Sequence, residues 1–221
     1  GRLRPIGWAA ATGPLVARSP APHEPQGPDW VPSPSPGQLP TEGRALLGAF
    51  ARFGMGMVPG DGNTRQCMAT SVVAYKESFG FDAPPYTYED FEESDVIVLV
   101  GSNLCIAHPI LWERVCRNPH APQIIVVDPR RTETAMNATL HLSPKPKSDL
   151  TLFYAIAREL ISKDWLDHDF IEKHTSGFDE FSRHVSNFSL AMAAEATGIP
   201  GDTLARFARL IGKGKRVSFW W

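Results

Sequence analysis

Three observations in the sequence predict an α/β fold built on a parallel sheet of the dinucleotide-binding type. Two apolar runs, Val96-Ile97-Val98-Leu99-Val100 and Ile124-Ile125-Val126-Val127, carry no polar alternation. That marks strands buried on both faces rather than half-solvated antiparallel ones. A helix-length segment, residues 106–117, lies between them, as a crossover between parallel strands requires. Each run then closes on turn residues, Gly101-Ser102-Asn103 and Asp128-Pro129-Arg130-Arg131-Thr132. These occupy the carboxyl ends of the strands, where open parallel sheets bind their ligands.

Taken in order, the chain begins with ten of its twenty prolines inside residues 1–40. Pro14, Pro20, Pro22, Pro25 and Pro28 argue against a helix of useful length, and Pro32, Pro34 and Pro36 against a central strand. Residues 1–36 therefore read as a disordered, proline-rich arm. Residues 42–53 have apolar positions at helical spacing and predict one amphipathic helix. Pro59-Gly60 and Asp61-Gly62 then mark a turn. The segment Asn63-Thr64-Arg65-Gln66-Cys67-Met68 leads from it into an unbroken helical stretch, residues 69–76. Cys67 thus falls where a turn meets a helix start, a position that favours thiolate over thiol. The bland alternative is one more small buried hydrophobe.

After the first apolar run, residues 106–117 predict a helix despite Pro109. Residues 140–142 suggest a short strand, and Ser148 is placed to cap a helix over residues 149–162. Short helices are expected at 167–174, 178–185, 190–196 and 203–211, the last stopped by Gly212. Residues 215–221 read as a further strand. The acidic group Glu89, Asp90, Glu92 and Glu93 reads as a solvated face.

Composition excludes several classes. A net charge of −2 offers no electrostatic case for nucleic acid. No apolar run has the length of a membrane span. Cys67, Cys105 and Cys116 form neither a C-x-x-C pair nor an even disulfide set, which points to a reducing compartment. No Cys/His cluster indicates zinc. Without G-x-G-x-x-G or G-x-x-x-x-G-K-[ST], an ordinary nicotinamide cofactor or nucleoside triphosphate is not indicated. Asp128 at a strand end is suited to a ribose or guanine hydrogen bond, and Arg130 or Arg131 to a phosphate. Read alone, the same residues are better taken as a helix cap and two solvated charges.

In their order and spacing, these segments resemble the molybdopterin oxidoreductases of the dimethyl sulfoxide reductase type, and most of all the catalytic subunit of bacterial nitrate reductases. The resemblance runs from Gly37-Gln38-Leu39 through the Cys67 segment to Phe79-Gly80-Phe81-Asp82-Ala83-Pro84-Pro85. It continues through Gly101-Ser102-Asn103, His108-Pro109-Ile110-Leu111-Trp112 and Asp128-Pro129-Arg130-Arg131-Thr132 to Lys147-Ser148-Asp149. Within residues 1–36 it is patchy, the proline-rich sequence replacing an expected helix and strand.

The resemblance implies a molybdenum centre carrying bis-molybdopterin guanine dinucleotide, with Cys67 as the protein's metal ligand and Met68 lining the substrate funnel. Such a ligand is expected to face open space rather than the core. Gln38, Asn63, Gly101, Ser102, Asn103, Asp128, Arg130, Thr132, Lys147, Ser148 and Asp149 would hold the pterins, phosphates and guanosines. The implied activity is reduction of nitrate to nitrite, fed by a redox donor protein or domain, in the cytoplasm with the periplasm left open. A 4Fe–4S cluster is expected in an N-terminal part beyond this chain. Residues 37–221 would form a partial cofactor-binding region, truncated at both ends relative to the family and inactive alone. The competing readings are a formate dehydrogenase of the same family, and an inert α/β remnant or interaction domain without cofactor. Formate dehydrogenases usually place histidine after the metal-binding residue, so Met68 favours nitrate.

Overall fold

The structure is a computed structural model that describes residues 4–18, 34–35, 39–57, 61–62 and 67–221. The chain divides into two compact units, Gly1–Pro84 and Pro85–Trp221.

In the first unit, helix α1 (Trp8–Arg18) contains Pro14, which corrects the expectation of an irregular arm over these residues. Only this one proline falls within the helix. Ala9-Ala10-Ala11 before it are the best of helix formers, and Pro14 removes a single backbone bond. The next proline, Pro20, comes after the helix has ended. Trp8 is 86% exposed, so α1 gains little from burial. Two-residue strands β1 (Pro34–Ser35) and β2 (Asp61–Gly62) pair in parallel. Asp61-Gly62 was expected as a turn and instead joins this short ribbon.

Helix α2 (Thr41–Ala49) continues through a wider π turn, Phe50–Gly54, in which Met55 N–H reaches the Phe50 carbonyl at 3.0 Å. Helix α3 (Ala69–Phe79) follows Met68 and closes at Gly80. Gly80 has φ +82 and donates its N–H to the Lys76 carbonyl at 3.0 Å, a left-handed helix stop that suits glycine.

The second unit opens with the short helix α4 (Asp90–Glu93) and holds a four-stranded, all-parallel sheet in the order β5-β4-β3-β6. Its strands are β3 (Val96–Val100), β4 (Gln123–Val127), β5 (Leu140–Leu142) and β6 (Val217–Trp220). Side-chain alternation sends Val96 and Val98 to one face and Ile97 and Leu99 to the other. Both faces are covered. Val96, Val98, Ile125 and Val127 pack with Leu152, Ile156, Leu204 and Phe207, while Ile97, Leu99 and Val126 pack with Phe91, Leu104 and Val115. Double-sided burial is why the runs are continuously apolar, and each such side chain contributes about 1.5–3 kcal/mol.

Between β3 and β4 the expected single helix is two, α5 (Leu104–Ala107) and α6 (Pro109–Arg117). Pro109 has no N–H for the carbonyl four residues earlier, so the helix restarts with proline in its first turn. Helix α7 (Glu133–Met136) joins β4 to β5. Five helices then lead to β6: α8 (Asp149–Ser162), α9 (His168–His174), α10 (Phe178–Val185), α11 (Leu190–Thr197) and α12 (Gly201–Lys213). Gly212 does not stop α12. It lies inside the helix, with the Trp165 ring filling the place of a side chain.

The connections from β3 to β4 to β5 step one way across the sheet, and β6 then returns to the other side of β3. The strand order therefore reverses beside β3. In open parallel sheets the crevice beyond the carboxyl ends at such a reversal is where ligands sit.

Candidate functional site

Val100 pairs with Val127, so Gly101 and Asp128 begin the loops at two adjacent strand ends, about 5 Å apart at ordinary strand spacing. Gly101 N–H donates to the Val127 carbonyl at 2.8 Å, lacing the two ends together. Gly101 has φ +61, and a Cβ placed there would meet nothing within 4 Å. The left-handed turn thus opens onto free space.

Asp128 is only 5% exposed. Its Oδ1 accepts the Arg130 backbone N–H at 2.8 Å, closing a local turn. Its own N–H donates to the Leu142 carbonyl at 3.0 Å, and His141 Nε2–H donates to its carbonyl at 2.9 Å. The end of β5 is tied in by these two bonds. Oδ2 has no hydrogen-bond partner among the described residues. That oxygen is left free to accept from a donor outside these residues.

The loops after β3 and β4 are also joined side chain to side chain. Asn103 Nδ2 donates to Glu133 Oε2 at 2.9 Å, and Asn103 Oδ1 accepts from Thr134 Oγ1 at 2.9 Å. The same hydroxyl accepts the Cys105 N–H at 3.0 Å. The Asn103 hydrogen bond, helped by Glu133's own N–H and the nearby Arg130 charge, holds the Glu133 carboxyl below the ordinary glutamate range. Thr132 is buried and caps α7, its Oγ1 accepting the Ala135 N–H at 3.2 Å.

Beyond β5, Lys147 takes a left-handed conformation with φ +72. Ser148 stands at the N-cap of α8 as expected, but its hydroxyl does not cap the helix. It donates instead to the Lys145 carbonyl at 2.6 Å, because its φ of −104 and ψ of 1 depart from the extended backbone a capping serine needs. Asp149 is exposed in the first turn of α8.

The second unit thus brings Gly101, Ser102, Asn103, Asp128, Arg130 and Thr132 to one sheet edge, with Lys147, Ser148 and Asp149 following the neighbouring strand. Cys67 and Met68 belong to the first unit, directly before α3, and both are exposed, Met68 by 44%. Cys67 thus stands at the start of the helical stretch, while residues 63–66, where the expected turn would lead into it, lie outside the described residues. Gln38 and Asn63 lie outside the described residues. Among those described, no group of three His, Cys, Asp or Glu side chains could hold a metal ion, and no helix is long and apolar enough to cross a membrane. Sequence reasoning missed Glu133 and Thr134. Their signal is only their place one and two residues after a buried cap.

The profile of the family described as "Molybdopterin oxidoreductase" matches residues 1–216. It includes the proline-rich stretch where the sequence resemblance was patchy. The nitrate reductase of Shewanella frigidimarina is 37% identical over 220 residues, covering 96% of this chain and 23% of that protein. The F420-dependent formate dehydrogenase 2 subunit alpha of Methanococcus maripaludis is 35% identical over 151 residues, covering 68% of this chain and 22% of that protein. Among solved structures, acetylene hydratase from Pelobacter acetylenicus superposes with a TM-score of 0.64 at 23% identity, over 99% of this chain and 30% of that one. This chain therefore spans under a third of each of these three proteins.

Proposed function

The chain belongs to the molybdopterin oxidoreductases, and from that premise we propose that it forms part of a nitrate reductase and holds one side of a bis-molybdopterin guanine dinucleotide cofactor. The family implies a molybdenum–pterin group; the guanine dinucleotide form is this reading's own step. The observation that carries it is Oδ2 of buried Asp128, without a partner among the described residues, at the carboxyl end of β4 and next to the β3 end beside which the strand order reverses. A guanine N1–H and N2 amine, or a ribose hydroxyl, is the kind of donor that oxygen lacks.

The residues present suit such a group. Gly101, with its open left-handed turn, lets a pyrophosphate approach the backbone closely. Ser102 supplies a hydroxyl and Arg130 a planar cationic fork for phosphate. Thr132 keeps the Asp128 turn in place by capping α7. Lys147, Ser148 and Asp149 offer a cation, a hydroxyl and a carboxylate past the next strand end. By family resemblance, Gln38 and Asn63 add contacts to the pterin.

Cys67 supplies the metal's thiolate ligand and Met68 an apolar wall to the substrate funnel. Both are exposed, as those roles need. A soft sulfur ligand suits molybdenum. When bound, the cofactor supplies two-electron oxygen-atom transfer. Nitrate takes up two electrons and two protons and leaves as nitrite and water. A redox donor protein or domain would supply the electrons, and a 4Fe–4S cluster, which the family resemblance implies for a longer chain, would serve to relay them. On this reading the chain is inactive alone and works within a longer enzyme. Its three free cysteines suit the cytoplasm, and nitrate assimilation is the role this compartment fits.

Formate oxidation is the second reading, motivated by the formate dehydrogenase relative. Met68 in the place where that class usually carries histidine favours nitrate. The test is to isolate the whole protein with its metal and assay nitrate reduction and formate oxidation with an artificial one-electron dye. Molybdenum, acid-released guanine nucleotide and nitrite production are expected. Turnover of formate alone would replace the nitrate assignment, and absence of guanine nucleotide would remove the dinucleotide.

A further inference from the structure

The Asn103 side chain is already spent. Thr134 N–H is an obligate donor 3.4 Å from one end of the amide, so that end is the oxygen. The other end is then the amine, and Glu133 Oε2 at 2.9 Å is its acceptor. Thr134 Oγ1 donates to Asn103 Oδ1 at 2.9 Å while accepting Cys105 N–H at 3.0 Å. Thr134 is fully buried, so neither bond is shared with water. The result is an oriented relay from Cys105 N–H through Thr134 and Asn103 to the Glu133 carboxylate. The amide oxygen has both its lone pairs engaged, and a single amine hydrogen is left over.

From this geometry we infer that Asn103 is a positioning residue rather than a ligand contact: with Thr134 and Glu133 it clamps residues 101–105 onto α7, so that backbone N–H groups and Ser102 face the bound phosphate. The inference rests on the dinucleotide reading for the identity of the ligand, but not for the clamp itself. The clamp is anchored on both loops of the sheet edge. Glu133 stands directly after Thr132 and Thr134 directly before Ala135, the two ends of the capping bond on α7. Glu133 and Thr134 thereby gain a role in the site, although neither has a motif of its own.

The polarity of the relay gives a test by exchange of partners. Asn103→Asp keeps an acceptor for Thr134 but sets two carboxylates face to face at the Glu133 end. Adding Glu133→Gln restores a donor there with the direction reversed. Two quantities are read in the whole protein: hydrogen exchange at the Cys105 amide without any nucleotide, and binding of guanosine diphosphate by titration calorimetry to cofactor-free protein. Asn103→Asp is expected to speed exchange and weaken nucleotide binding, each by about tenfold, the scale of losing one hydrogen bond to a charged group. The double variant is expected to recover both.

Recovery of exchange without recovery of binding would show that Asn103 touches the ligand, and would overturn its positioning role. Unchanged exchange in Asn103→Ala would overturn the clamp, and melting temperatures identify any variant that fails to fold. If no protein binds the nucleotide while exchange follows the relay, the dinucleotide reading fails and the clamp stands.

Discussion

Asp95 receives the backbone N–H of Arg216 on Oδ1 at 2.9 Å and that of Lys215 on Oδ2 at the same distance. One carboxylate at the foot of β3 therefore fixes where β6 begins. Burial pushes this carboxyl up, but the two bonds, its own N–H and the Lys215 charge outweigh burial and bring it below the ordinary aspartate range. A group lowered on folding stabilises the protein above its unfolded pKa, and that stability is lost as pH falls through the folded value. Asp95→Asn, which can accept only at one end, is expected to cost about 1–2 kcal/mol at neutral pH. The gap from wild type should close in acid. Urea unfolding of both proteins across a pH series measures it, and a gap constant into acid would remove Asp95 from this role.

Gly101 takes a left-handed backbone with nothing near its missing Cβ, so its requirement is conformational rather than steric. Gly101→Ala is expected to destabilise by about 1–2 kcal/mol. Gly101→Asn should cost less, since asparagine tolerates that conformation better. Thermal unfolding ranks the three, and an alanine variant as stable as wild type would show that the turn is not needed.

Gly212→Ala sets two effects against each other. Alanine improves helix propensity by about 1 kcal/mol. Its Cβ would collide with the Trp165 ring, and overpacking of this kind costs about 1–3 kcal/mol. The ring is held at its own Cβ and cannot swing away cheaply, so net destabilisation is expected. Trp165→Leu should make the alanine tolerable. A stabilised Gly212→Ala single variant would mean that the ring does not occupy that space.

Cys67 is the residue on which the proposed reaction turns. In the molybdenum-loaded protein, Cys67→Ser offers the metal a harder, less readily deprotonated ligand. Nitrate reduction is expected to drop by orders of magnitude while the pterin content stays, since the contacts proposed along the sheet edge are untouched. Cys105→Ser and Cys116→Ser should change turnover little. Near wild-type nitrite production by Cys67→Ser would end the ligand assignment.

The sheet was legible because a strand buried on both faces leaves an unbroken apolar run, and because turn residues end such runs at the ligand edge. Val96–Val100, its partner β4, and the Gly101 and Asp128 loops were all readable on that basis. Helix α1 was not, since counting prolines along a segment says nothing about which one falls inside a helix. The Gly212 misreading has a similar origin: a glycine stops a helix or admits a neighbour's ring, and only packing distinguishes them. Glu133 and Thr134 were invisible for another reason. Their partners lie about thirty residues away across a loop pairing, and hydrogen bonds between loops leave no periodic trace.

The position of β6 has a consequence for how the molecule is made. β3 gains β4 after a short crossover, whereas its bond from Arg216 to Asp95 spans 121 residues of chain. During synthesis the β6 side of β3 stays unpaired until six helices beyond β4 have emerged. An apolar strand waiting with a bare edge is a template for the wrong partner, and closing so long a loop is slow. Ser94 and Ser218, whose hydroxyls meet in the core at 2.9 Å, favour the right partner over another apolar strand, since a wrong pairing forfeits that bond and leaves Ser94 only its local one to the Asp90 carbonyl. Variants at these two serines should betray themselves first as aggregation of newly made protein, before any loss of stability in molecules already folded.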